Sequence, residues 1–186
     1  VIDLATRFDD PNLDGTIIKF KSVLGTFHAL LYDTATPNTV TNFLKYADGN
    51  LYDNTIIHRS VSNFVVQGGG FGNATSYTVI PVFGPVLNEP GISNVRGTIA
   101  MAKLGGNPNS ATSQWFFNLG DNSANINNQN GGFTVFGRVI GDGMTVVDAI
   151  AAVPVWDASV INAAFDQLPL RNFQNTGSPT TDNTVS

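Results

Sequence analysis

Gly97-Thr98-Ile99-Ala100-Met101, a polar loop over Gly105 to Thr112, and then Gln114-Trp115-Phe116-Phe117-Asn118 set the architecture of this chain. Both apolar runs are short, rich in β-branched or aromatic residues, and bounded by Gly and Asn, which reads as two strands. Side chains alternate along a strand. Gln114 and Phe116 therefore share one face, and Trp115 and Phe117 take the other.

Upstream, Ile17-Ile18-Lys19-Phe20-Lys21 and Thr26-Phe27-His28-Ala29-Leu30-Leu31-Tyr32 flank a turn at Leu24-Gly25 and read as a hairpin, after an irregular opening that lasts until Thr16. Thr36-Pro37 offers an N-cap with proline at the first helical position. Val40, Phe43, Leu44 and Ala47 then fall on one helical face, and Gly49 is the stop. From Thr55 to Gln67 the residues favour strand, with Ser60 to Asn63 as a bend between two short pieces and Gly68-Gly69-Gly70 ending the second. Phe71 to Val95 mixes Gly, Pro and Asn with isolated aromatics and reads as a long ordered loop. Downstream, Thr134 to Val139 is a further strand leading into a helix near Met144 to Ala152, whose Val146, Val147, Ile150 and Ala151 keep helical spacing. Leu168 to Phe173 reads as a closing strand that Pro169 confines to an edge. After Gln174 the residues are almost wholly polar and are expected to fray.

Many short strands with two well-separated helices fit a mainly β protein, an antiparallel barrel whose ends the helices cover. A length of 186 residues suits one domain, 1–186, with its core over residues 16–173 and a polar tail over 174–186. Nine Lys and Arg against 14 Asp and Glu give a formal charge of −5, which disfavours nucleic acid and anionic lipid as partners. No apolar stretch approaches the roughly 20 residues of a membrane helix. The absence of cysteine removes disulfides and thiolate chemistry. The two histidines, His28 and His58, stand at no recognisable metal-ligand spacing, so no metal is expected.

His58-Arg59 falls where a strand meets a bend, ahead of Phe64-Val65-Val66-Gln67-Gly68-Gly69. An arginine among apolar neighbours must reach solvent or find acceptors, and a plain surface arginine satisfies that as well as a functional one does. Gln67 and Gln114 are more telling, because an amide within an apolar strand needs specific hydrogen-bond partners. A hydrolase lacks support: Ser113 has no G-x-S-x-G setting, and neither histidine has an evident acid partner. The run Gly68 to Gly72 lacks the Lys-Ser/Thr ending of a phosphate loop.

Taken together and in order, Phe-Val-Val-Gln-Gly-Gly shortly after His-Arg, Gly-Thr-Ile-Ala-Met-Ala, Asn-Ser-Ala-Thr-Ser-Gln-Trp-Phe-Phe, and Phe-Thr-Val-Phe-Gly-Arg-Val resemble the cyclophilin family of peptidyl-prolyl cis/trans isomerases. The resemblance implies a closed eight-stranded antiparallel barrel capped by two α-helices, no cofactor, a monomer, and proline-containing peptides and unfolded proteins as partners. It implies that Arg59 is the catalytic arginine and that Gln67 assists it, by orienting Arg59 or holding the substrate carbonyl. Phe64, Val65, Phe116, Ile126 and Phe133 would form the proline pocket, Gln114 its polar flank, and Ala102 and Lys103 the backbone that pairs with the peptide. Val65 stands where the family often has methionine, and Trp115 replaces a common phenylalanine. Asn125 stands where cyclosporin-sensitive members carry tryptophan, so cyclosporin binding is expected to be weak at most. His58 is expected to be structural, because amide rotation transfers no proton. The alternative is a binding or chaperone module with the same groove and little turnover. The cysteine-free, lysine-poor, acidic composition suits an exported, for example periplasmic, protein, with the cytoplasm as the alternative.

Overall fold

The computed structural model describes residues 15–73, 77–174 and 177–186; the irregular opening expected before Thr16 lies, as far as Asp14, outside them. Seven strands pair throughout antiparallel into one sheet: β1 (Ile17–Ser22), β2 (Gly25–Leu31), β3 (Arg59–Val61), β4 (Val65–Gly68), β5 (Thr98–Met101), β6 (Trp115–Asn118) and β7 (Val135–Ile140). Their order across the sheet is β1-β2-β7-β5-β6-β4-β3, so the expected eight-stranded ring is, among the described residues, a curled seven-stranded sheet with β1 and β3 at its two edges. Helices α1 (Pro37–Asp48) and α3 (Met144–Ala151) match the two expected, and a four-residue helix α2 (Ser123–Ile126) adds to them.

The ladder registers separate the two faces of the sheet. Residues opposite each other in an antiparallel pair point to the same side. Ser60 faces Val66, Val66 faces Phe117, Phe117 faces Ile99, and Ile99 faces Gly137. This is the inner side, where Val66, Phe117, Ile99 and Met101 join Phe27, Phe43, Trp115, Val147 and Ile150 in the main core. A bulge between Ile99 and Ala100 on the β7 side bends the sheet. Phe117 packs edge-on against Phe20, Phe27 and Trp115 with ring centres 5.2 to 5.3 Å apart. Burying such a ring stabilises the fold by about 2–3 kcal/mol. Gly69 turns away from this core at a φ of 75°, and a Cβ there would stand 2.6 Å from the Trp115 indole nitrogen. Glycine meets both demands.

The structure corrects three sequence expectations. Leu168 to Phe173 supplies only a two-residue strand, β9 (Leu168–Pro169), which pairs with β8 (Val155–Trp156) outside the main sheet. The polar end of the chain is docked, not frayed: Thr184 and Val185 are fully buried. Ile57 N–H donates to the Val185 carbonyl and Val23 N–H to that of Ser186, both at 2.8 Å. The buried Val185 side chain, these backbone bonds, a further one from Arg171 N–H to the Asn183 carbonyl, and the Thr184 hydroxyl on Asn73 Oδ1 hold this segment in spite of its polar composition. Thr36 occupies the N-cap of α1, but its side chain does not cap; its hydroxyl donates to the Tyr32 carbonyl instead. The capping acceptor is Glu89, whose carboxylate receives the backbone N–H groups of Asn38 and Thr39 and both of their side chains at 2.7 to 3.2 Å.

Candidate active site

On the opposite, outer side of the sheet, Arg59 faces Gln67 across β3 and β4, Gln67 faces Phe116 across β4 and β6, and Phe116 faces Ala100 across β6 and β5. One line of side chains therefore runs from a cation through an amide to an aromatic ring. Two residues along, Val61, Val65 and Asn118 form a parallel line on the same face. Val65, Ala100, Phe116, Ile126 and Val135 make a second, outward apolar cluster, against which Phe64, Ala102 and Phe133 pack from its rim. Val65 and Ile126 are 2% and 3% exposed, so they form a floor, whereas Phe64 and Phe133 are half-buried at the surface. The Phe116 and Phe133 rings meet edge to face at 5.9 Å.

The residues singled out in the sequence thus converge on one face, with three refinements. Gln67 does not bind Arg59: its Nε2 donates to Gln114 Oε1 at 2.8 Å, which fixes both amides at the edge of the apolar patch. Among the described residues the half-buried Arg59 has no ion pair, the single salt bridge being Arg96 with Asp148. The Ala102 N–H is engaged by the Gln114 carbonyl at 2.9 Å. This leaves the Ala102 carbonyl and Lys103 N–H as the backbone groups that segment presents.

Lys103 carries a role that the sequence did not reveal. Its Nζ donates to Asn88 Oδ1 and to the carbonyls of Asn130 and Gly132 at 2.6 to 3.3 Å, and it stands 4.7 Å from the centre of the Phe133 ring. Burial lowers its pKa from the ordinary lysine value. The ammonium thus fastens the loop that ends in Phe133, through carbonyls 27 and 29 residues away that no local pattern announces. His58 is 1% exposed and lies edge-on to Phe71. Burial drives its pKa down to about 4; a hydrogen bond with Gln114 opposes the shift, and the Arg59 charge adds to it. At neutral pH it is an uncharged packing group behind the site. Asn125, on α2, is exposed.

Such a surface offers a shallow apolar pocket, a free guanidinium beside it, two fixed amides and an unpaired backbone segment. It assembles no proton relay and no activated nucleophile. Among the described residues no three His, Asp or Glu side chains group as metal ligands.

Comparison with known proteins agrees in extent and order. Residues 17–168 match the family model described as cyclophilin type peptidyl-prolyl cis-trans isomerase. A peptidyl-prolyl cis-trans isomerase of Acinetobacter baylyi is 43% identical over 145 residues, covering 76% of this chain and 75% of the relative. Peptidyl-prolyl cis-trans isomerase B of Escherichia coli is 39% identical over 143 residues, covering 74% and 85%. In fold, the chain resembles a Cryptosporidium parvum cyclophilin-type isomerase crystallised in the presence of the dipeptide Ala-Pro, with a TM-score of 0.62 at 22% identity over 77% of this chain and 89% of that one. Sequence, sheet order and family match lead to one conclusion: this chain belongs to the cyclophilin-type peptidyl-prolyl cis-trans isomerases and catalyses rotation about X-Pro bonds.

Proposed function

We propose that rotation takes place on the outer face of β3, β4 and β6, with Arg59 as the catalytic group and proline-containing segments of peptides and unfolded proteins as substrates. The barrier to be lowered is about 18–20 kcal/mol, set by the partial double bond of the amide. As the bond twists, the prolyl nitrogen becomes pyramidal and regains a lone pair that resonance had delocalised. A guanidinium beside that nitrogen stabilises the twisted form more than the planar one, which is the condition for catalysis.

The remaining groups hold the substrate. The proline ring sits on Val65, Phe116 and Ile126 between Phe64 and Phe133. The Gln67 and Gln114 amides take the carbonyl side, and the Ala102 carbonyl and Lys103 N–H pair with the residues before proline. An acceleration of about 10⁵ requires about 7 kcal/mol, more than the roughly 3 kcal/mol of one charge-assisted contact. Positioning and exclusion of water supply the difference.

The observation that carries this reading is the register that aligns Arg59, Gln67 and Phe116 on one face, with Arg59 free of any ion pair among the described residues. Its test is Arg59→Ala, assayed by exchange NMR on a proline tetrapeptide. The expected result is a fall in kcat/KM of about 10² or more with the circular dichroism spectrum unchanged. Activity within about twofold of the parent would overturn the role of Arg59.

We propose also that the sheet closes into an eight-stranded barrel, with the eighth position between the free edge of β1 and residues 55–57. A cleft of about 650 Å³ separates those edges, lined by Ile18, Phe20, Ile57, Trp115 and Phe117, and Val185 and Ser186 already enter it. Closure predicts that the β1 amides pointing away from β2 exchange slowly, about 10²-fold or more below the unfolded rate. Rapid exchange at those amides would contradict it.

A further inference from the structure

Beneath the rim of the apolar patch lies a chain of buried amides that reaches Phe64 and Phe133 through their backbone carbonyls. Asn118, at the end of β6, is fully buried on the same side of the sheet as Phe116. Its Oδ1 accepts from Asn122 Nδ2 at 2.7 Å, and its Nδ2 donates to Asn94 Oδ1 at 3.2 Å and Thr98 Oγ1 at 2.8 Å. Each flanking asparagine then reaches a different wall. Asn122 Nδ2 also donates to the Phe64 carbonyl at 2.9 Å, and Asn94 Nδ2 donates to the Phe133 carbonyl at 3.1 Å. The Asn122 carbonyl accepts from Ile126 N–H, also at 2.9 Å.

From this connectivity we infer that Asn118 is a positioning residue that sets the width of the proline pocket, by holding the Phe64 and Phe133 walls at opposite ends of one hydrogen-bonded chain. The inference rests on the reading of Phe64, Ile126 and Phe133 as the pocket walls. A primary amide suits this role because it accepts on one side while donating two hydrogens on the other; a hydroxyl has one hydrogen to give and a carboxylate has none. Asn94, Thr98, Asn118 and Asn122 are all buried, so breaking their bonds leaves buried polar atoms unpaired and lets the two walls relax independently. Width acts on how well the ring is gripped before rotation as well as during it. Loosening should therefore weaken binding more than it slows the twist, in contrast to removal of Arg59.

The test compares Asn118→Leu, which keeps the branched heavy-atom skeleton and removes every side-chain hydrogen bond, with Phe133→Ala, which removes a wall outright. For Asn118→Leu the expected result is a KM for a proline tetrapeptide raised about tenfold with kcat within about threefold, whereas a protein that had merely lost folded molecules would lose kcat at unchanged KM. Phe133→Ala raises KM in either case if the pocket is correctly placed. A folded Asn118→Leu protein with the parent's KM, beside a Phe133→Ala protein with a raised one, overturns the role of Asn118 and leaves the pocket standing. Unchanged KM in both overturns the pocket itself. If Asn118→Leu does not fold, Asn94→Ala cuts the same chain at its Phe133 end and is read the same way; failure of both to fold assigns the network to stability alone and overturns the inference.

Discussion

His58 illustrates how a single side chain is assigned by its surroundings. Its imidazole is enclosed by the fold and carries a pKa near 4, below the ordinary 6.5. Between those values the unfolded chain binds a proton here that the folded chain does not, so stability falls as pH drops through 6.5 and levels off near 4. Above 6.5 the group contributes no slope. Moving from pH 7 to pH 5 should cost about 2 kcal/mol through this residue alone. Urea unfolding at the two pH values should show that loss in the parent and lack it in His58→Asn; equal losses in both would contradict the assignment. At the same scale, Arg59, Gln67 and Gln114 were legible in the sequence as polar groups set among apolar strand residues. Asn118 carries the same signal, an amide directly after Phe116-Phe117, but its partners Asn94 and Asn122 lie in loops with no periodic pattern, so nothing local says what it binds. The ammonium of Lys103 gave no signal, since its acceptors are backbone carbonyls of a distant loop.

At the scale of elements, α1 was readable from Pro37, its apolar face and Gly49, and its bounds follow those residues. Its cap was not. Glu89 lies about 50 residues downstream and satisfies the first turn of the helix from outside. Burial alone would raise the Glu89 pKa, but the hydrogen bonds from Thr39 and Asn38 outweigh it and hold the carboxyl below its ordinary value. The stability it contributes is therefore present above the ordinary carboxylate range and is lost as pH falls through the lowered value. Glu89→Ala should lower stability by about 1 kcal/mol at pH 7, with the gap from the parent narrowing at pH 3, when followed by urea unfolding. A gap that persists unchanged at pH 3 would mean that the carboxylate charge is not what matters. Of the two short pieces expected about a bend at Ser60 to Asn63, β4 falls where it was read, but β3 spans Arg59–Val61 and so takes in Ser60 and Val61 from the expected bend. Ile56, Ile57 and His58 remain buried outside the ladder, with Ile57 bonded to Val185 instead.

For the molecule as a whole, alternation decided a great deal without any tertiary knowledge. The pattern of strand-forming and apolar residues located six of the seven main strands and the two longer helices, because an element buried on one or both faces must show that in its own residues. The ordered blocks from His58 to Val139 carried the family, and with it the candidate face proposed for catalysis. The number of strands that close, and the fate of the chain end, were decided by pairing alone. Leu168 to Phe173 looks like a strand, yet its backbone turns out to pair with β8, while Val185, one apolar residue in a polar segment, is fully buried. The sequence by itself determined where most of the strands would lie and which polar side chains stand out among them, since those properties are local. Only the tertiary structure decided which amide binds which carbonyl, and so how Phe64 and Phe133 are held. Hydrogen-bond partners 20 to 60 residues apart are chosen by the packing of the sheet and leave no period in the chain.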